Sequence, residues 1–436
     1  FKNMKLDKKI SLVSLGCAKN LVDSEILVGG LKKEGFKMVS DSSDADVVIV
    51  NTCGFLDTAR EESVDTILDC ATLKDTSNVE KLLVMGCFSE RYGSDLVKEM
   101  PEVDKFFGTN DHSMVLSYLT GKEYKKDDPD YYRSILTPRH YAYLKIAEGC
   151  DNVCSFCSIP SMRGLQVSST LEGNLIEAQR LADNGVKEIL VIAQDTTSYG
   201  WDLSPKSSLH ELLDVLDGVD DIDWVRLHYA HPAHLHKEVI KRFSTLNKLV
   251  PYIDMPTQHG SDKILKDMRR GLDSSGIKER IDALRNANEK ISIRTSIIVG
   301  FPGETDKEFK ELCNFVEDVQ FDRLGVFQYS EEEGTHGAKV FDDDVPKTVK
   351  QERYETIMML QQKINYKKNI DRVGSVEKIL IDIVDDEGWS LGRSYRDAPE
   401  IDNYVKINQK LETGKIYDVK IEEAYEYDVL GSVLNG

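Results

Sequence analysis

Three short runs near the start of the chain are apolar almost throughout, and each closes on a cysteine. Residues 10–16 lead to Cys17, residues 46–52 to Cys53 and residues 81–86 to Cys87. Aliphatic and β-branched runs of this length predict strands buried on both faces, as in a parallel sheet. Between them, over 21–34 and 57–70, apolar residues recur at helical spacing. The predicted unit is βαβαβ, a doubly wound α/β domain covering residues 4–121. The three cysteines stand 36 and 34 residues apart, about one crossover each. Parallel strands point the same way, so the three thiols should emerge on the carboxyl edge, where open α/β sheets bind ligands. The competing reading is three unrelated buried cysteines, which are common in cores. One cysteine at each strand end argues against it. Cys70 and Cys313 lie in helical patterns and are expected in the core.

After a charged, proline-containing stretch, 122–139, read as a linker, the same alternation resumes. Strands are expected at 141–146, 188–193, 224–228, 252–255, 293–299 and 323–328, with helices such as 175–184 and 275–290 between them. Six βα units over 140–370 predict a partial (β/α)6 TIM-type barrel with its working loops at the strand carboxyl ends. The pattern then changes. Short alternating strands at 376–384, 388–394, 403–406 and 415–424, separated by glycine turns, predict a small antiparallel OB-like barrel over 373–436.

The net charge is −20 over 436 residues, which disfavours a general nucleic-acid-binding surface and suits a basic partner. The last domain carries seven Lys/Arg against fourteen Asp/Glu, a surface that would repel a phosphate backbone. A generic capping barrel without a recognition role is the alternative. No apolar run approaches the length of a membrane span, and no cleavable leader is expected. Phe1-Lys2-Asn3 ahead of Met4 is set aside from the fold. Clustered thiols without a secretion signal point to a reducing cytoplasm and to metal binding over disulfides.

The densest chemistry is Cys150-Asp151-Asn152-Val153-Cys154-Ser155-Phe156-Cys157, a CxxxCxxC pattern that follows the first strand of the central domain. Thiolates this close suit a metal or an iron–sulfur cluster. Three ligands for four irons leave one iron open for a small molecule. A structural zinc site with a distant fourth ligand, or a disulfide with a spare thiol, are the competing readings. The spacing fits neither well. Other polar residues follow the later strands: Gln194 to Gly200 after the second, and His228, His231 and His234 after the third. The histidines read either as metal ligands or as hydrogen-bonding pocket residues, and no acidic–histidine helix motif supports zinc. The loop Gly300-Phe301-Pro302-Gly303-Glu304 follows the fifth strand, with glycines that let the backbone approach a cofactor.

CxxxCxxC with an aromatic before the last cysteine resembles the radical S-adenosylmethionine (SAM) enzymes. The resemblance implies a 4Fe-4S cluster on Cys150, Cys154 and Cys157, with SAM on the open iron as the source of a 5′-deoxyadenosyl radical. It implies Phe156 near the adenine and Gln194 at the SAM amino group. The stretches Ser14-Leu15-Gly16-Cys17-Ala18-Lys19-Asn20, Val50-Asn51-Thr52-Cys53-Gly54-Phe55 and Met85-Gly86-Cys87 resemble the methylthiotransferases of that superfamily. That implies a second 4Fe-4S cluster on Cys17, Cys53 and Cys87, carrying a sulfide or polysulfide sulfur to be transferred. The tail resembles the TRAM domain.

Two groups of methylthiotransferases exist, one acting on a tRNA adenosine and one on the β-carbon of an aspartate in small-subunit ribosomal protein uS12, which is very basic. The segments 392–402 and 252–259 resemble the ribosomal-protein group, and the acidic tail agrees with it. The resemblance also implies a flavodoxin- or ferredoxin-type electron donor, and makes tRNA the less favoured substrate. It assigns no catalytic side chain beyond the cluster ligands. One departure is Ser169, where relatives often carry Arg, which puts any anion contact there in doubt. An iron–sulfur electron carrier or RNA-binding scaffold is the non-enzymatic alternative, but a (β/α) domain of this size exceeds what a carrier needs.

Overall fold

The computed structural model describes residues 8–124 and 133–434. The segment 1–4 and the linker stretch 125–129 lie outside the described residues. The chain forms two compact units. The first comprises residues up to 137 together with 148–151 and 158–165; the second comprises 138–147, 152–157 and everything from 166 onward.

In the first unit, strands β1 (Lys9–Ser14), β2 (Lys37–Met38), β3 (Val47–Thr52), β4 (Lys81–Gly86) and β5 (Lys105–Phe106) pair in the order β2-β1-β3-β4-β5, all parallel. This is a doubly wound order, with its reversal between β1 and β3. β3 is buried along its whole length, and its alternate residues feed opposite faces. Val47 and Ile49 pack with Ile10, Leu27, Leu31 and Met85; Val48 and Val50 pack with Ile67, Leu82, Val84 and Leu96. Cys70 lies in the second of these cores. The two-residue strands β2 and β5 were not expected, since so short a run carries no periodicity. The helix Asp57–Thr76 runs six residues past the expected end, through a polar last turn where the apolar pattern fades. Residues 133–137 are held to this unit by Glu25: its carboxylate accepts from Arg133 Nε at 2.6 Å and from the Leu136 N–H at 2.7 Å.

The second unit contains β6 (Tyr141–Lys145), the two-residue strands β7 (Ala147–Glu148, whose Glu148 counts with the first unit) and β8 (Val167–Ser168), and then β9 (Glu188–Ile192), β10 (Trp224–Leu227), β11 (Leu249–Asp254), β12 (Ser292–Val299) and β13 (Arg323–Gln328). The main sheet runs β6-β9-β10-β11-β12-β13 in chain order, with every pair parallel. Sequential order with helical crossovers winds the sheet in one sense, the (β/α)6 arrangement. β11 starts three residues before its expected position because Pro251 interrupts the apolar run. The 24-residue helix Lys347–Ile370 packs Ile357 and Ile364 beside Leu312, Val316 and Val326, near the half-buried Cys313. Four further strands were largely expected: β14 (Val376–Val384), β15 (Ser390–Arg393), β16 (Val405–Ile407) and β17 (Ile416–Ala424). The fifth, β18 (Val429–Val433), completes a closed barrel β14-β15-β16-β18-β17. Four of its five pairings are antiparallel. The closing pair β16–β18 is parallel, because β17 intervenes in the chain and returns it in the same direction.

This small barrel lies against the amino end of the main sheet. Arg393 and Arg226 are fully buried and share the buried Glu188, the first residue of β9: Arg226 Nε is 2.6 Å from one carboxylate oxygen and Arg393 Nη2 2.8 Å from the other. Arg393 also pairs with Asp382 at 2.5 Å, and Asp382 with His140 at 2.8 Å. The loop after β15 adds Asp397 on Arg323, Asp402 on Tyr252 (2.7 Å) and Glu400 on Tyr141 (3.0 Å). Burial would raise the Glu188 carboxyl, but the two guanidiniums hold it below its ordinary value. Breaking one side of such a network leaves a buried charge without its partner, at a cost of about 3–5 kcal/mol. Arg393→Met should therefore lower unfolding stability by about that much in urea titration. Adding Asp382→Asn should recover part of the loss, because Asp382 is the carboxylate that loses its guanidinium, whereas Glu188 keeps Arg226.

Candidate iron–sulfur and SAM sites

In the first unit, Ser14, Asn51 and Met85 lie side by side in register, and Thr52 beside Gly86, so β1, β3 and β4 end together. The loops beyond carry Cys17, Cys53 and Cys87 to that edge. Cys17 precedes the helix Ala18–Lys33, and Cys87 is the first residue of the helix Cys87–Glu99. Helix N-termini favour anions, so two of the three sulfurs sit where negative charge is favoured. Gly16 has φ +89°, and a Cβ there would lie 2.7 Å from Cys53 Cβ and 3.0 Å from its Sγ. Only glycine lets the Cys17 loop approach Cys53 so closely. Cys17 is exposed, Cys53 half-buried and Cys87 buried. Burial pushes the Cys87 thiol up to about 12, with Cys17 and Cys53 raising it further and Arg163 pulling it down. Burial raises Cys53 as well. Thiols of this kind ionise only when a cation binds them.

Asn20 holds the three loops together. Its amide donates to Leu15 O (3.0 Å) and Thr52 O (2.9 Å), just before Cys17 and Cys53. Arg163 completes the site, with Nε 3.3 Å from Cys87 Sγ. Neither residue was singled out in the sequence. A polar side chain inside a cysteine motif reads as part of the motif, and Arg163 comes from a segment 76 residues beyond Cys87.

The CxxxCxxC loop follows β6. Cys150 belongs to the first unit, where its N–H donates to Gly164 O at 3.1 Å. Gly149 makes this possible: φ is +76°, and a Cβ would lie 2.1 Å from Leu165 O. Cys154 and Cys157 belong to the second unit. The Cys157 N–H closes a turn on Cys154 O (3.2 Å), and Ser155 is tied to Met268 O (3.1 Å) and Asp267 O (2.7 Å). Arg270 Nη1 lies 3.1 Å from Cys154 Sγ. The half-buried Phe156 packs with Ile264, Met268, Phe301 and Tyr329, which brings it to the Gly300 loop. That loop is fixed by Glu304, which accepts the Gly300 N–H (3.0 Å) and pairs with His259 (2.8 Å) and Arg353 (2.8 Å). Gln194 lies two residues past β9 and precedes Asp195.

Asp195 ties several elements together: it pairs with His234 Nδ1 at 2.8 Å and accepts from Asn152 of the cysteine loop at 2.8 Å. His231 stacks on His234 with ring centroids 4.6 Å apart, and its Nδ1 accepts from the Ala233 N–H. His228 lies between the Tyr229 and Tyr252 rings, 3.9 Å from Asp254. Ser169 is exposed and contributes through its backbone: its N–H donates to Ile146 O and its carbonyl accepts from Tyr199 OH at 2.9 Å.

Among the described residues no three His, Cys, Asp or Glu side chains close to the span of a single metal ion. Cys17, Cys53 and Cys87, all in the first unit, nevertheless fit a larger, multi-iron group, as do Cys154 and Cys157 within the second. The first set has a glycine-lined approach, two helix N-termini and a guanidinium 3.3 Å from Cys87 Sγ, where it would stabilise a ligating thiolate; the second has a pinned tight turn and Arg270 on Cys154 Sγ.

Among solved structures, the fold is similar to the radical SAM methyltransferase TsrM from Kitasatospora setae (TM-score 0.56, 13% identity, 73% of each chain). It is also similar to the cobalamin-dependent SAM radical enzyme OxsB (TM-score 0.53, 12% identity, 82% of this chain and 56% of that one). Residues 9–108 match the uncharacterized protein family UPF0004, residues 144–316 the radical SAM superfamily and residues 373–434 the TRAM domain. Proteins named ribosomal protein uS12 methylthiotransferase RimO align over nearly the whole chain. The one from Aquifex aeolicus is 47% identical over 97% of this chain and 96% of its own length; that from Clostridioides difficile is 43% identical over 98% and 99%. The chain belongs to the ribosomal protein uS12 methylthiotransferase family. Membership of this radical SAM family implies SAM and a 4Fe-4S cluster. Among the described residues no helix is long and apolar enough to cross a membrane.

The Asp195, His231 and His234 cluster carries a titration of its own. Burial, with the positive charge of Arg270, lowers His231 to about 3; burial would raise Asp195, but His234 and His231 bring it to about 2. Below about pH 6.5 the unfolded chain protonates His231 while the folded one does not. Stability present at pH 7 is therefore lost as pH falls from 6.5 towards 3, by up to about 1.4 kcal/mol per pH unit. His231→Gln should flatten this limb in urea titrations at pH 7, 6 and 5. An unchanged slope would contradict the assignment.

Proposed function

We propose that this protein adds a methylthio group to the β-carbon of an aspartate in ribosomal protein uS12, in the cytoplasm. Cys150, Cys154 and Cys157 hold a 4Fe-4S cluster beside SAM, and Cys17, Cys53 and Cys87 hold a second one. The observation that carries the reading is the gathering of Cys17, Cys53 and Cys87 at one sheet edge, in a chain 47% identical to a protein of that name. When bound, the clusters and SAM supply the radical C–H activation and the sulfur, as sulfide or polysulfide. A flavodoxin- or ferredoxin-type protein supplies electrons.

The chain's own residues bind and orient. Phe156, packed beside the Gly300 loop, offers an apolar face to the adenine, and Gln194 a polar group to the SAM amino end. Glu304 fixes the backbone at Gly300. Arg270 stabilises thiolate at Cys154. The organisation proposed is 4–121 for the sulfur-carrying domain, 122–139 for the linker, 140–370 for the radical SAM domain and 373–436 for the TRAM domain. In the last, the exposed run Asp385-Asp386-Glu387 and the strand acids Glu422 and Glu423 present negative charge to a basic substrate.

Anaerobically reconstituted protein, given SAM and reductant, should add the mass of a methylthio group to uS12 and leave tRNA unmodified. A mass gain confined to tRNA would reject the substrate. Cys87→Ala should still release 5′-deoxyadenosine while losing the uS12 mass shift; loss of both would refute separate roles for the two cysteine sets.

A further inference from the structure

Arg163 ends the short helix Ile159–Arg163 and is only 5% exposed. All three of its guanidinium nitrogens are engaged. Nε lies 3.3 Å from Cys87 Sγ, Nη1 3.0 Å from Asp23 Oδ2 and 2.9 Å from each Glu148 oxygen, and Nη2 donates to Asn20 Oδ1. The same Asn20 amide grips the backbone before Cys17 and Cys53. One cation therefore touches one thiol directly and reaches the loops of the other two through a single side chain. The nearest formal charges are Asp23, itself buried, and Glu148, with His112 4.0 Å from Asp23. Neutralising two carboxylates would explain a buried arginine, but it would not require Nε to face sulfur. Hydrogen bonds to ligating sulfur and the net charge around a cluster set its reduction potential.

We propose that Arg163 is a positioning residue for the cluster on Cys17, Cys53 and Cys87, whose fixed charge beside Cys87 Sγ raises that cluster's electron affinity while its fork holds the three cysteine loops in register. Asp23 opposes it. The inference rests on the two-cluster reading above. Two substitutions of opposite sign separate this role from a merely structural one. Arg163→Gln removes the cation, and Asp23→Asn removes an anion 3.0 Å from it without changing side-chain size. Arg163→Lys keeps the charge but loses the planar fork.

The test uses full-length protein carrying Cys150→Ala, Cys154→Ala and Cys157→Ala, so that only the first cysteine set can hold iron. The protein is reconstituted anaerobically and titrated electrochemically with electron paramagnetic resonance detection. Arg163→Gln should make electron uptake at least tenfold less favourable, about 59 mV for a one-electron couple. Asp23→Asn should shift it in the opposite direction, and Arg163→Lys should fall between Arg163→Gln and the parent. Potentials unmoved by Arg163→Gln and Asp23→Asn, or moved in the same direction by both, would overturn the inference. If Arg163→Gln fails to fold or retain iron, the Asp23→Asn arm decides: a raised potential supports the role and an unmoved or lowered one overturns it. A parent that takes up no iron overturns the two-cluster reading and this inference with it. A parent that takes up iron but ignores the substitutions overturns the inference alone.

Discussion

In a parallel sheet every strand must end at the same edge, and this constraint organises both units. Hydrogen bonding fixes the register of β1, β3 and β4, so three cysteines far apart in the chain reach one edge without any interaction of their own. The second unit applies the same rule to different chemistry. The cysteine loop, Gln194, the histidines and Gly300 all follow strand carboxyl ends. The amino ends are left for a different task, and there the chain places charged side chains in the interior.

What could be read from the sequence follows from this division. Runs such as 81–86 announce a buried strand because every residue after Lys81 is apolar, and a cysteine at the end of each announces a site. Charged partners that arrive from elsewhere leave no such mark. Arg163 looks like any basic residue after a helical turn, yet it faces a thiol whose loop lies 76 residues away. Arg270 meets Cys154 across 116 residues. The helix Lys347–Ile370 has no sharp apolar stripe, because its buried side includes Lys350, Arg353, Gln361 and Asn365 along with its isoleucines. The strand β18 breaks its apolar run at Gly431 and Ser432, so no alternation sets it apart. Pattern reports elements that bury hydrocarbon; it is silent on elements held by ion pairs.

The acidic tail shows the same limit in another form. Counting charges over 373–436 treats every acid as surface, whereas Glu377, Asp382, Asp397 and Asp402 face inward onto arginines and tyrosines. The segment 392–402, whose resemblance pointed to the ribosomal-protein group, supplies several of these inward groups. In this structure it seals the amino end of the main sheet. Its spelling therefore reports first on how the two barrels fit together, and the negative surface that remains comes from other residues.

That seal has a bearing on how the protein is made. Arg226 waits for a carbonyl 169 positions later, and Tyr141 for a carboxylate 259 positions later. At elongation rates of about 5–20 residues per second, the first of these gaps alone is roughly 10–30 s. Through that interval Glu188 and Arg226 lack the partners that residues 393–395 supply. Contacts of such long range slow the final closure. The amino end of the sheet is therefore closed by residues that are among the last of the chain to be made, and its interior charges reach their full set of partners only once the tail domain is in place.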